Sequence, residues 1–170
     1  MRVVSGQFGG RRLVSPEGRD TRPTTEKVRE AVFNALGSLD LVDDAEVIDL
    51  YAGTGALGLE ALSRGAARCT FVENDRAALE ALRHNIDHLG VADRSRVVRG
   101  DALSAVGSLG GDLLLADPPY GVAPWEELLA STTADFVVAE APTEVAAPDG
   151  WEAVRARRYG RTWVTFLERK

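Results

Sequence analysis

The stretch Ala45–Gly58 reads AEVIDLYAGTGALG and specifies the fold class. Its first six residues are mainly aliphatic, which is typical of a strand buried inside a sheet. Gly53, Gly55 and Gly58 follow with G-x-G-x-x-G spacing. Glycines at this spacing let the backbone turn tightly and approach a ligand that lies over the N-terminus of the next helix. A strand, a glycine-rich turn and a helix in this order predict the first unit of a doubly wound α/β sheet.

Strands and helices continue to alternate downstream of this unit. A long helix is predicted through residues 79–89 and a shorter one around residues 125–131. Further strands are predicted at residues 68–73, 95–99, 112–117 and 135–140. Alternation of this kind implies right-handed crossovers, so we predict a doubly wound, mainly parallel, seven-stranded sheet. Residues 151–158 and 162–167 alternate in polarity and predict an antiparallel hairpin that closes the sheet.

The first 37 residues predict a small extension in front of this sheet. Residues 1–14 have the glycine-rich turn and short apolar flanks of a β-hairpin. A helix is expected to begin at Pro23 and to end at Gly37. We therefore predict an N-terminal extension, residues 1–37, that packs onto a main domain, residues 38–170.

Charge is distributed unevenly along the chain, whose formal net charge is −6. Residues 1–37 carry seven basic and four acidic side chains, and residues 151–170 carry six and two. The segment between them carries 7 basic and 20 acidic residues. A basic rim on an acidic body can contact phosphates locally. The arginines of the extension are the candidates for this contact, and solvated surface charge is the alternative.

Composition limits the class of protein further. A length of 170 residues suits one domain with a proper core. Cys69 is the sole cysteine, so an internal disulfide is excluded, and we expect a buried core thiol and not a nucleophile. No apolar run approaches 18 residues, and the first residues lack the apolar core of a signal peptide. We therefore expect a cytoplasmic protein without membrane spans.

Acidic residues stand where successive strands are predicted to end. Asp49 closes the first strand, Glu73 the second, and Asp101 follows the third. Ligands of doubly wound sheets bind at these carboxyl ends. A carboxylate at Asp49 would repel a pyrophosphate but suits the amino group of a methionine moiety. Glu73 is placed for ribose hydroxyls and Asp101 for an adenine amine, so the set favours S-adenosylmethionine over a dinucleotide.

The fourth strand ends in Asp117-Pro118-Pro119-Tyr120. Neither proline has an N–H to donate, and each ring fixes φ near −65°, so the loop is stiff and its carbonyl oxygens are free to accept. A carboxylate and carbonyl acceptors beside an aromatic ring suit a flat ligand that carries an exocyclic amine. The alternative is a rigid exposed turn.

These motifs together resemble the class I S-adenosylmethionine-dependent methyltransferases, which have a Rossmann-like fold. The tetrapeptide Asp117–Tyr120 resembles that of members acting on exocyclic or amide nitrogens. The front segment Arg22–Asn34 is similar to one group among them, the bacterial 16S ribosomal RNA (guanine-N2)-methyltransferases. The resemblance covers nearly the whole chain and is most specific in this front segment.

The resemblance implies a role for each matching residue. The first strand and its turn would bind the methionine end of the cofactor S-adenosylmethionine, the end of the second strand its ribose, and the end of the third strand its adenine. In that order, the residues are Asp49, Ala52, Gly53, Thr54 and Gly55, then Glu73 and Asn74, then Asp101 and Ala102. Catalysis would use Asp117 and the Pro118 carbonyl as acceptors for the guanine N2 amine, with Tyr120 stacked on the extruded base. RNA contacts would come from Arg11, Arg12, Arg22, Thr24 and Pro119.

The sequence leaves several functions open beside this interpretation. The acceptor could instead be adenine in nucleic acid or glutamine in a protein, because the tetrapeptide recognises an amine. A non-catalytic RNA-binding module or a nicotinamide oxidoreductase would also contain parts of the pattern. His84 and His88 stand one helical turn apart without further ligands, so no metal site is predicted. The expected partner is 16S rRNA within an assembled or assembling 30S subunit, bound by a monomer.

Overall fold

The computed structural model describes residues 1–16, 23–119 and 123–170. The helices, in chain order, are α1 Pro23–Ser38, α2 Ala56–Ser63, α3 Arg76–Leu89, α4 Ala102–Val106 and α5 Trp125–Ser131, with a 3₁₀ turn at Ala92–Arg94. The strands are β1 Glu46–Leu50, β2 Arg68–Glu73, β3 Ser95–Arg99, β4 Leu113–Ala116, β5 Phe136–Ala141, β6 Trp151–Tyr159 and β7 Thr162–Arg169.

The seven strands form one sheet in the order β3-β2-β1-β4-β5-β7-β6. Strands β1 to β5 pair in parallel, and β7 pairs antiparallel with both β5 and β6. The predicted doubly wound sheet and its closing hairpin are therefore confirmed. The chain leaves β1 toward β2 on one side and later returns to β4 on the other, so the strand order reverses between β1 and β4. Such a switch point opens a crevice at the carboxyl ends of the strands.

The sheet divides the core into two layers because side chains alternate between its faces. Val47 and Leu113 point to the face covered by α1, α2 and α3, and Ile48 and Leu114 to the face covered by α4 and α5. Cys69 is buried in the first layer, as predicted. None of the described helices is long and apolar enough to cross a membrane.

The N-terminal segment packs into the first of these layers. Val3, Phe8 and Leu13 are buried in it. Glu60 of α2 is fully buried, and its carboxylate accepts from the backbone amides of Val4 and Ser5 at 2.8 and 3.0 Å. A buried carboxylate needs such partners. The segment is also tied to α2 through Ser63 and to α3 through Asn85, and the boundary at residue 37 stays a prediction.

Element ends differ from the predictions at a few places. The N-terminal hairpin consists of one antiparallel bridge, Arg2 to Arg12, with no longer strands. Its many glycines and turns leave few residues to extend a ladder. Helix α4 was not predicted, since its five residues are too few to show a helical period. Strands β4 and β5 begin one residue later than predicted, and Asp117 stands directly after β4.

Candidate active site

A cavity of about 940 Å³ opens at the carboxyl ends of the parallel strands, where the strand order reverses. Its walls come from the loops after β1, β2 and β4, from the end of β5, from α1 and from the β6–β7 turn. The turn contributes Tyr159–Thr162, so the closing hairpin reaches from the far edge of the sheet back to the crevice. This is the position where ligands of doubly wound sheets bind.

The turn after β1 is folded in the left-handed region at three positions. Tyr51 and Gly53 both have φ of 58°, and Gly55 has φ of 87°. A Cβ on Gly55 would lie 2.4 Å from the side chain of Leu82, whereas a Cβ on Gly53 would meet no atom within 4 Å. Gly55 is therefore needed for packing against α3, and Gly53 leaves backbone open to the cavity. Left-handed backbone is rare for a bulky residue such as Tyr51.

Asp49 lies behind this turn and is only 1% exposed. Its carboxylate accepts a hydrogen bond of 2.9 Å from the backbone amide of Gly58 in α2. Burial, and then the nearby Asp117 and Glu73 carboxylates, raise its pKa well above the usual range against the lowering by that bond. Asp49 therefore holds the glycine turn against α2, and its contact with a ligand stays a prediction.

Glu73 joins two of the cavity's loops. One carboxylate oxygen accepts from the backbone amide of Gly53 at 2.8 Å. The other accepts from the amides of Asn74 and Asp75 at 2.9 and 2.8 Å. Glu73, Gly53 and Asn74 all line the cavity, as do Ala52 and Thr54. The structure therefore brings these predicted cofactor residues together on one wall.

Asp101 stands apart from that wall. Its carboxylate caps α4 by accepting from the backbone amide of Ser104 at 2.9 Å and from its hydroxyl at 3.0 Å. These bonds hold the pKa of Asp101 below its usual range. Ala102, the next residue, is buried. Tyr51 lines the cavity, and its pKa is raised by burial and then by the charge of Asp101.

Asp117 and Glu140 form the opposite wall of the cavity. Ala116 of β4 pairs with Ala139 of β5, so the two acids occupy the next position on neighbouring strands. Neither carboxyl group makes a hydrogen bond or a salt bridge to a residue that the structure describes. The Asp117 side chain meets solvent in the cavity, yet it is deep enough that lost hydration raises its pKa to about 6.

Glu140 is a residue that the sequence did not single out. Burial raises its pKa well above the usual range, the charges of Asp117 and Asp49 raise it further, and Arg29 lowers it. Arg29 is 4% exposed, and its guanidinium donates to the Glu60 carboxylate and the Arg2 backbone carbonyl. A strand-end acid looks ordinary in a sequence, and only its place beside Asp117 marks it.

The remaining predicted residues fall into three groups. Pro118 is buried and Pro119 lines the cavity. Arg11 donates to the backbone carbonyl of His88 at 2.7 Å, and Arg12 is exposed; neither lies on the cavity wall. The others lie outside the described residues, namely Arg22, Tyr120 and the side chain of Thr24.

Two exposed cations at the cavity were not predicted, and the buried Arg29 lines it as well. Lys27 of α1 and Arg161 of the β6–β7 turn are exposed and line the mouth of the cavity. Within the described ranges, no cluster of three or more His, Cys, Asp or Glu side chains could hold a metal ion. The cavity therefore combines acidic walls inside with basic side chains at its rim.

The residues present fit S-adenosylmethionine. The open backbone at Gly53 leaves room for a ligand to approach the start of α2. The Glu73 carboxylate faces the cavity at the second strand end, where ribose hydroxyls would find an acceptor. Unpartnered carboxyl groups on the other wall suit a sulfonium cation and an amine donor.

Comparison with known proteins agrees with this fit. Residues 1–168 match the family model described as "Conserved hypothetical protein 95". The chain is 36% identical over 187 residues to a Bacillus subtilis protein provisionally named rRNA methyltransferase YlbH, with both chains covered completely. It is 43% identical over 122 residues to ribosomal RNA small subunit methyltransferase D of Escherichia coli, covering 71% of this chain and 60% of that protein.

A solved structure extends the likeness to the fold. The Escherichia coli protein provisionally named methyltransferase yhhF superposes with a TM-score of 0.87 at 35% identity, covering 100% of this chain and 98% of that one. Its fold and the matched family model both span the N-terminal extension as well as the sheet. The chain therefore belongs to the conserved hypothetical protein 95 family, the family of the ribosomal RNA small subunit methyltransferase D proteins, and has the class I methyltransferase fold.

Proposed function

We propose that this protein transfers a methyl group from S-adenosylmethionine to the exocyclic N2 amine of a guanine in 16S ribosomal RNA. One observation carries the proposal: an unpartnered Asp117 carboxyl faces the cavity at the switch point of a methyltransferase fold. Family membership supports RNA as the substrate, since ribosomal RNA small subunit methyltransferase D is a relative. The base would be extruded from the RNA to reach the cavity.

The cofactor wall would hold S-adenosylmethionine through Glu73, Asn74 and the backbone from Ala52 to Gly55, with Asp49 behind them. Asp101 and Ala102 would lie toward its adenine. When bound, the cofactor supplies a methyl group that its positive sulfur makes electrophilic. The protein's part is to align the amine with that methyl group, and alignment can supply roughly 7–11 kcal/mol of the barrier.

The opposite wall, which contains Asp117 and Glu140, would activate the amine. The guanine N2 lone pair is delocalised into the ring, so the amine is a poor nucleophile. The Asp117 carboxylate and the Pro118 carbonyl would accept its two hydrogens and stabilise the positive charge that grows on nitrogen. An N–C bond would form as the C–S bond of the cofactor breaks, and the nitrogen would lose one proton. Asp117 would accept that proton, for which its pKa of about 6 suits it.

The basic rim would bind the RNA backbone around the extruded nucleotide. Lys27 and Arg161 are exposed at the mouth of the cavity. Arg11, Arg12 and Arg22 would extend this surface along the N-terminal segment. Each phosphate contact that is lost should lower the dependence of RNA binding on log salt by about one unit. Alanine at Lys27 and Arg161 is therefore expected to flatten this dependence without changing cofactor affinity.

A parallel methyl-transfer assay tests the proposal. Radioactive S-adenosylmethionine is offered with protein-free 16S RNA, 30S particles, DNA and protein, and modified nucleosides are identified by mass spectrometry. We expect N2-methylguanosine in 16S RNA, with the reaction taking place in the cytoplasm. We expect it to form faster in 30S particles, because the folded particle holds the base at its surface. Methylation of adenine or of protein glutamine alone would contradict the proposal, and calorimetry against NAD tests the cofactor.

A further inference from the structure

Glu140, like Asp117, lacks the scaffold role that Glu73 has on the other wall of the cavity. Its neighbours in β5, Ala139 and Ala141, are small buried residues. Glu140 itself is half-buried, lines the cavity and makes no hydrogen bond or salt bridge to any residue that the structure describes. A half-buried carboxyl without a partner destabilises a fold. Its oxygens are therefore available to a ligand that fills the cavity beside Asp117.

The position of Glu140 relative to Asp117 follows from the sheet. The residues follow the paired Ala116 and Ala139 on neighbouring parallel strands. Neighbouring strands are about 4.8 Å apart. Two acidic side chains that leave the backbone at this spacing, on one face and in one cavity, can receive hydrogen bonds from adjacent donors on the edge of a single base.

Among the four RNA bases, guanine has such adjacent donors on its Watson–Crick edge. Its N2 amine lies beside a ring nitrogen, N1, that carries a hydrogen. The amines of adenine and cytosine lie instead beside a ring nitrogen with a lone pair, and uracil has no amine. A pair of neighbouring carboxylates therefore matches guanine and places an acceptor against an acceptor in the other amino bases.

We propose that Glu140 selects guanine by accepting a hydrogen bond from its N1–H while Asp117 accepts from the N2 amine. This rests on the proposed function and names the residue that decides the base. The neutral form of Glu140, favoured by its burial and by Asp117 and Asp49 against Arg29, keeps a carbonyl oxygen for N1–H and adds a hydroxyl donor toward O6. Guanine thus forms two hydrogen bonds with the neutral carboxyl, whereas the ring nitrogen of adenine or cytosine could accept one, from the hydroxyl.

The experiment changes the residue and the base together. The methylated position is first mapped with the wild-type protein. 30S particles are then reconstituted from ligated 16S RNA that carries either guanosine or 2-aminopurine there. Both bases present an amine to Asp117, but 2-aminopurine lacks the N1 hydrogen and O6. Wild type is expected to prefer guanosine in kcat/KM by roughly 5- to 150-fold, the discrimination typical of a good bidentate contact.

Substitution of Glu140 should remove this preference. Glu140→Ala is expected to lose kcat/KM on guanosine particles, to change little on 2-aminopurine particles, and so to bring the ratio toward one. Glu140→Gln keeps an acceptor oxygen and should retain part of the preference. Glu144→Ala, at an exposed loop position off the cavity wall, is the matched control. Cofactor affinity by calorimetry reports whether each variant is folded.

The possible results separate the two proposals. An equal loss on both particles in Glu140→Ala, with the wild-type ratio kept, would overturn the role of Glu140 and leave the proposed function standing. A wild-type protein with equal kcat/KM on guanosine and 2-aminopurine particles would overturn the role of Glu140 as well. If Glu140→Ala does not fold, the ratio measured with Glu140→Gln decides, and an unchanged ratio counts against the inference. If wild type methylates neither particle, both proposals fail.

Discussion

Glu73 and Asp101, on the β2 and β3 side of the sheet, use their carboxylates to bind backbone amides, whereas Asp117 and Glu140, on the β4 and β5 side, have no partner among the described residues. Glu73 fixes two loops of the cofactor wall, and Asp101, which stands apart from that wall, caps α4. The unpartnered acids destabilise the fold and keep their acceptor capacity for a substrate. One cavity therefore contains a wall that is organised before binding and a wall that is completed by the ligand.

Removing an unpartnered acid should produce the largest effect. Asp117→Ala is expected to lower kcat by roughly 10²- to 10³-fold, as loss of a preorganised charge stabiliser does. Calorimetry with S-adenosylmethionine should give a nearly unchanged Kd, because the cofactor wall keeps its own bonds. A variant that methylates at the wild-type rate would show that the two walls do not divide the work in this way.

The pH dependence of the reaction should be set by the ionisation of Asp117 on the same wall. Burial raises the pKa of Asp117 to about 6, with Glu140, Asp49 and Arg29 as the charged groups around it. Because the carboxylate is the form that accepts from the amine, single-turnover rates should fall about tenfold per pH unit below pH 6 and level off above pH 7. A profile that is flat from pH 5 to 8 would contradict this assignment.

Weakening the organised wall should affect the cofactor instead. Glu73→Gln replaces a charged acceptor by a neutral one and loses part of the bonding to Gly53, Asn74 and Asp75. The Kd for S-adenosylmethionine is expected to rise roughly tenfold, as the loss of a hydrogen bond to a charged group predicts. RNA affinity in the absence of cofactor should not change. Equal weakening of both ligands would mean that the walls are coupled.

The smallest expected effect is on stability, where removal of an unpartnered acid and removal of a bonded acid should change the free energy of unfolding with opposite signs. Because the pKa of Asp117 is raised in the folded state, its charge lowers the free energy of unfolding. This effect is absent below the pKa of the unfolded chain and complete above pH 6. Asp117→Asn should therefore stabilise the fold at pH 7.5, by about 1 kcal/mol after solvent screening, and not at pH 3.5. Urea unfolding measures this.

Asp101 supplies the opposite case for the same measurement. Its pKa is lowered, so its contribution is present at neutral pH and is lost as pH falls through that lowered value. Asp101→Ala removes the cap of α4 and should destabilise the fold by about 1 kcal/mol at pH 7.5. The comparison fails if both substitutions shift the unfolding midpoint in the same direction.

The order of residues is enough to predict the sheet and most of the cofactor wall. The periodicity of Ala45–Gly58, followed by alternating strands and helices, implies a doubly wound order, because buried parallel strands and their crossovers allow few arrangements. Local chemistry also places Glu73 and the glycines, since strand ends and turns are short-range features. The likeness of Arg22–Asn34 to one methyltransferase group likewise needs only the order of residues.

Which acids have partners depends on the tertiary structure. Nothing local in the sequence distinguishes Asp49, held by Gly58 nine residues later, from Glu140, which has no partner in the part of the chain that the structure describes. Lys27 and Arg161 are 134 positions apart and meet at one cavity only because β7 inserts beside β5. Strand pairing brings distant residues to one edge, and burial there raises the pKa of Asp117 and Glu140, so neither effect follows from neighbours in the chain.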